Sequence, residues 1–200
     1  MDAGTSYPNP EAYIHIRTIV GIVIGLSMTR LLTGVARLVQ HPGRTPLYPV
    51  HLAWVLFILL YVVEFWWWEF RLSRLTLWTF PVYLFVILYA GLFVFLGALL
   101  FPDDLSGYTG FKDYFLSRRK WFFGLLAATF LIDLIDTALK GSDYFRSLGV
   151  QYPIRNLGYA AAAGAAMFVR NPRFHAVFVA AALVYSVIWI VQTYLLLPGS

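Results

Sequence analysis

The stretch 81-PVYLFVILYAGLFVFLGALLF-101 decides the fold, because it runs through residues 81–101 without one charged side chain and is closed by Pro102. The hydrocarbon core of a bilayer is about 30 Å thick, and a helix rising about 1.5 Å per residue crosses it in about 20 apolar residues. The run therefore predicts a transmembrane helix. Pro81 suits its first turn, where a missing N–H costs nothing.

Working outward with the same ruler, five more runs emerge: about Ala12 to Gln40, Tyr48 to Leu72, Trp121 to Leu139, Pro153 to Val169 and Phe174 to Leu197. The first is long enough to require tilt or a protruding end. His41-Pro42-Gly43 closes it, and Arg170-Asn171-Pro172-Arg173 separates the last two. The expected fold is an all-α polytopic membrane bundle of about six transmembrane helices, in one domain over residues 1–200. Between the third and fourth spans, FKDYFLSRRK (111–120) has the aromatic and basic content of an interfacial helix, with a polar loop as the equal alternative. Gly158, Ala162 and Ala166 recur at small-xxx-small spacing, which places the fifth helix at the bundle centre. Gly21 and Gly25 form GxxxG, read as close packing within the bundle.

Composition agrees. Hydrophobic residues make up 60% of the chain and charged residues 12%, which excludes an ordinary soluble domain. The net charge of +5 has no free basic arm behind it, so nucleic acid is not an expected partner; Lys and Arg sit at the ends of apolar runs, as topology signals do. The absence of Cys removes disulfides, thiolate metal sites and Cys nucleophiles. No Lys or Arg precedes Arg17, so the N-terminus lacks the basic region of a cleaved signal peptide, and the first helix is expected to stay.

With six spans both termini share one side, here side A. Arg37, Arg44, Lys112, Arg118, Arg119, Lys120, Arg170 and Arg173 fall on the opposite side B; Arg17, Arg71, Arg74, Lys140, Arg146 and Arg155 fall on side A. The excess favours side B as cytoplasmic. Two halves of three helices leave an inverted repeat open, without a residue-level match between them.

Ionisable residues inside spans are expensive and mark sites or partners. Counting about 1.5 Å per residue from side B puts Arg30 about 10 Å deep, and Glu64, Asp133 and Asp136 together at about 18–22 Å. Thr129, Asp133, Asp136 and Lys140 form one stripe on the fourth helix. Carboxyls crowded in a low dielectric take up protons or cations, and on that reading Glu64, Asp133 and Asp136 are the site, with Arg30, Lys140, Arg155 and Arg17 as electrostatic partners. The competing reading is packing by ion pairs: Asp136 with Lys140, Asp133 with Arg155, and Glu64 with Arg30 or Arg17. Ser27, Arg30, Gly34 and Arg37 form a further stripe, suited to an anion, a lipid headgroup, the acidic cluster or snorkelling.

Two weaker constellations remain. His51 and His175 both open helices near side B, the geometry of bis-histidine haem b, although boundary histidines more often anchor at the interface. His15 and Glu69 extend the acidic group toward an oxygen-rich metal site. No G-x-S-x-G, H-E-x-x-H or P-loop pattern is present, so an enzyme is the less favoured class.

The strings GLSMTRLLTGVARLVQH, HLAWVLF, DYFLSRRKWFFGLL and VRNPRFH resemble a widespread type of small polytopic bacterial inner-membrane protein. The resemblance touches four of the six helices and implies no activity, cofactor or site residue. The leading expectation is a channel or transporter with an intramembrane proton or cation site. An accessory subunit of a membrane assembly, a homo-oligomer, and a haem or pigment protein stand as alternatives.

Overall fold

The computed structural model describes residues 7–43, 45–75 and 77–196. Helix α1 spans Asn9–Gln40, α2 Pro49–Trp68 with a 3-10 continuation Glu69–Arg74, α3 Phe80–Leu100 and α4 Phe111–Leu139. A short α5, Ser142–Ser147, precedes α6, Gln151–Phe168, and α7, Pro172–Ile190, which a π-helical turn carries to Leu196. Prolines stand in the first turns of α2, α3 and α7, and the Asn171 side chain caps α7 by accepting from the Arg173 N–H at 2.9 Å. Gly141 and Gly149, at φ of 125° and 69°, make the two sharp corners that bracket α5. A two-residue antiparallel bridge, β1 (Tyr7–Pro8) on β2 (Leu77–Trp78), ties the start of α1 to the start of α3.

Side-chain contacts fix the helix directions. Ser27 Oγ donates to the Phe93 carbonyl at 2.8 Å and Arg30 Nε to the Phe101 carbonyl at 3.0 Å, so α1 and α3 run parallel. The rings of Trp54 and Phe122, then Tyr61 and Phe130, pack in ascending order along α2 and α4, which are therefore parallel too. Asp133 meets Asn156 while Gly124 meets Met167, so α6 runs opposite to α4.

Five helices, α1, α2 with its 3-10 turn, α3, α4 and α7, are long and apolar enough to cross a membrane. The sixth expected span, α6, is a helix antiparallel to α4, but Gln151, Arg155 and Asn156 make its first turns polar. Its 18 residues measure about 27 Å. The outward faces carry Ile22, Leu26, Leu32, Leu88, Phe95, Val177 and Val184, all more than half exposed, while the interior is also apolar. Apolar inside and outside describes a protein solvated by lipid, and this chain is an integral membrane protein.

Three expectations are revised. The 111–120 segment is neither a separate interfacial helix nor a loop: Phe111, Tyr114, Phe115 and Phe122 share one buried face, and α4 runs unbroken through them. Helix α6 lies at the edge of the bundle, with Ile154, Leu157 and Phe168 exposed; α2, carrying the fully buried Trp54, Ile58 and Val62, lies at the centre. The face α6 buries is Tyr152, Asn156, Ala163 and Ala166, whereas Gly158 is exposed, because the hydrogen-bonding residues set the rotation of the helix. Of the GxxxG pair, Gly21 approaches the Trp66 ring and Gly25 faces open space.

Candidate functional site

Toward the side A end of the bundle, two polar clusters share the expected stripe on α4. In the first, Lys140 at the end of α4 places Nζ 2.5 Å from Asp136 Oδ2, one turn back, and 2.8 Å from Glu69 Oε1 at the end of α2. All three side chains are at most 5% exposed. Each carboxyl gives Lys140 one oxygen only, and the other, Glu69 Oε2 and Asp136 Oδ1, is buried without a partner among the described residues.

In the second cluster Asp133 accepts from Tyr89 Oη on α3 at 3.0 Å, and from Tyr152 Oη and Asn156 Nδ2 on α6, both at 2.7 Å. Arg155 Nη2 stands 3.7 Å from the same carboxyl. Thr137 and Tyr152 share a 2.6 Å bond; with Thr137 donating, the Tyr152 proton is free to point at Asp133. Every partner of Asp133 is a donor, the pattern that suits a charged acceptor. This network draws α4 against α6 and explains why α6 is polar where it is.

Glu64 takes part in neither cluster. It borders a cavity of about 20 Å³ together with Arg155, Tyr61, Tyr159, Ser186 and Trp189. Glu64 Oε1 and Trp189 Nε1 are buried there without a hydrogen-bond partner among the described residues. The space is sufficient for about one water, and the polar lining gives that water bonds to make. Arg155 stacks its guanidinium 4.9 Å from the centre of the Trp189 ring, so one cation faces Glu64 across the cavity and Asp133 on its other flank.

The remaining expected residues lie elsewhere. Arg30 is remote from the acids: its Nη1 pairs with Asp103 at 2.7 Å on side B, and its stripe, with Ser27 and Gly34, is the seam between α1 and α3. Asp103 is fully exposed, and the Arg30 hydrogen bond, then its charge, hold its carboxyl below the ordinary value. Arg17 is exposed over the Tyr13 ring and borders a small cavity that Glu69 also lines. His15 stacks on Tyr83 beside a cavity of about 570 Å³ lined by Glu11, Trp78 and Phe80, whereas Glu69 is held by Lys140, so these two do not meet. No three His, Asp or Glu among the described residues gather to hold a metal ion.

His51 and His175 are both fully buried, and their Nε2 atoms donate to the carbonyls of Leu100 at 2.6 Å and Val169 at 2.9 Å. Their rings stack on Phe111 and Phe123 respectively, and both touch Phe115. In this arrangement they pin helix ends together.

Tyr89, Tyr152 and Thr137 are site residues that the sequence reading passed over. Tyr89 had a usable signal, since a phenol in the middle of an apolar span needs an interior partner. No known protein family, curated protein or solved structure matches the chain.

Proposed function

We propose that this membrane protein is a small transporter or channel whose site, between α2, α4 and α6, binds protons or cations in their place. One observation carries the reading. Four buried or part-buried carboxyls, Glu64, Glu69, Asp133 and Asp136, have only two cations, Lys140 and Arg155, within ion-pair distance among the described residues. Uncompensated charge in a low dielectric costs several kcal/mol per ion, so the deficit is met by bound protons or a bound cation. Three carboxyl oxygens without partners, on Glu64, Glu69 and Asp136, are where these would reside.

Glu64 is the exchangeable group in this proposal, because it has space for water beside it and its Oε1 has no partner among the described residues. Asp133 is the anchored acid, and Arg155 couples the two. The Lys and Arg excess on side B supports a bacterial inner-membrane orientation with both termini outside.

The test is proton flux into liposomes containing the purified chain, driven by a potassium-diffusion potential and read with an entrapped pH dye. Wild type carries flux, and Glu64→Gln lowers it at least tenfold while eluting as the same folded species. Equal flux in both, or none in either, overturns the proposal. A stable second subunit after gentle extraction, with no flux from the isolated chain, favours the accessory-subunit reading instead.

A further inference from the structure

We propose that the side B corner formed by α4, α6 and the start of α7 binds the phosphate headgroup of an anionic phospholipid, with Arg119 as its buried anchor. Phe115 and Phe123 lie one turn either side of Arg119 on α4, and both contact the His175 ring in the first turn of α7. Arg119 therefore shares the face of α4 that meets α7, and only 8% of its surface is exposed. A guanidinium at that burial is ordinarily matched by a carboxylate. Among the described residues Arg119 has no ion pair, Nη1 donates to the Leu116 carbonyl of its own helix at 2.6 Å, and the buried Nε has no hydrogen-bond partner.

The surroundings add charge of the same sign. Lys120 lies 5.7 Å from the centre of the Phe168 ring on α6, beside the turn that carries Arg170 and Arg173. The positive end of α7 opens in that turn, at Asn171. The helices of the corner supply no acid in return: α4 has none between Asp113 and Asp133, and no Asp or Glu follows Asp143. The other side B acids are engaged elsewhere, Asp103 with Arg30, Asp104 with Ser106 and Asp113 with the Thr109 N–H. Arg119, Lys120, Arg170 and Arg173 thus belong to one end of the bundle, and none of them has an ion pair among the described residues.

A lipid fits better than a free anion. Trp121 and Phe168, 67% and 71% exposed, offer apolar contact to an acyl chain next to the cations, and the corner lies at the end of the apolar belt, where headgroups are. The site is independent of the carboxyl network at the opposite end of the bundle.

The full chain in an uncharged detergent is titrated with phosphatidylglycerol, phosphatidylcholine or inorganic phosphate, and Tm is read by tryptophan fluorescence. Phosphatidylglycerol a hundredfold above its Kd raises Tm by roughly 5–10 °C, and the other two do not. Arg119→Gln loses at least half of the rise. Should that variant fail to fold, the exposed pair Arg170→Gln with Arg173→Gln gives the same reading. An equal rise with phosphatidylcholine, an equal rise with phosphate alone, or wild-type responses from the variants that fold overturns the assignment.

Discussion

Replacing Lys140 by Met removes the cation that two buried carboxyls share. Glu69 and Asp136 are 5% and 2% exposed, and each already has one oxygen without a partner among the described residues, so neither has a second group there to turn to. Removing one member of a buried ion pair costs about 3–5 kcal/mol, because the charge left behind stays desolvated. For a chain of this size 1 kcal/mol moves Tm by about 2–4 °C, so Lys140→Met is expected to lower it by roughly 6–20 °C. Neutralising the survivors reverses the effect: Lys140→Met with Glu69→Gln and Asp136→Asn recovers at least half of the loss. Thermal unfolding in detergent, followed by tryptophan fluorescence, measures both. A single variant costing less than about 1 kcal/mol, as an exposed pair would, or a triple variant no more stable than the single, refutes the reasoning.

Three further outcomes follow from other contacts. Asp103 is held below its ordinary value of 3.8 by Arg30, so its contribution to stability is present above that pH and is lost as pH falls through its folded value. The small Tm difference between wild type and Asp103→Asn therefore starts to shrink as pH falls below 3.8 and closes once pH is under the lower, folded value; a difference that does not shrink on that acidification contradicts the pairing. A Cβ at Gly34 would clash with the Phe101 ring, whereas one at Gly25 meets nothing within 4 Å among the described residues. Gly34→Ala is expected to cost about 1–3 kcal/mol and Gly25→Ala to be neutral or stabilising, as read by Tm. With no native Cys, an impermeant maleimide on intact cells should label a Ser142→Cys variant and spare Gly107→Cys; the reverse pattern inverts the proposed orientation.

The spans were legible because uninterrupted apolar runs are a one-dimensional signal. The α4 stripe was legible for a similar reason: Asp133, Asp136 and Lys140 are related by helical period alone, and the Asp136 to Lys140 pair follows from it, while the Asp133 to Arg155 pair between α4 and α6 was expected from their similar depth. The extension of α4 back to Phe111 was hidden because the Arg118-Arg119-Lys120 run imitates a membrane boundary, although the aromatic residues before it keep the period of the same buried face. Other partners distant in sequence could not be read. Arg30 lies 73 positions from Asp103 and faces away from the acids, a fact that depends on how α1 rotates against α3. Glu64 and Glu69 are five residues apart, which separates them by about 140° around a helix. One therefore faces the cavity beside α6 and α7, and the other faces Lys140. Depth estimates place residues along the membrane normal, but only packing sets the rotation.

The central claim, that the polar core holds more carboxyls than its cations neutralise and carries protons to make up the difference, is open to infrared spectroscopy of the protein in lipid. At neutral pH the account predicts a protonated-carboxyl C=O band that shifts on transfer to D2O and shrinks in Glu64→Gln. Its absence from the wild-type spectrum at neutral pH would contradict the account.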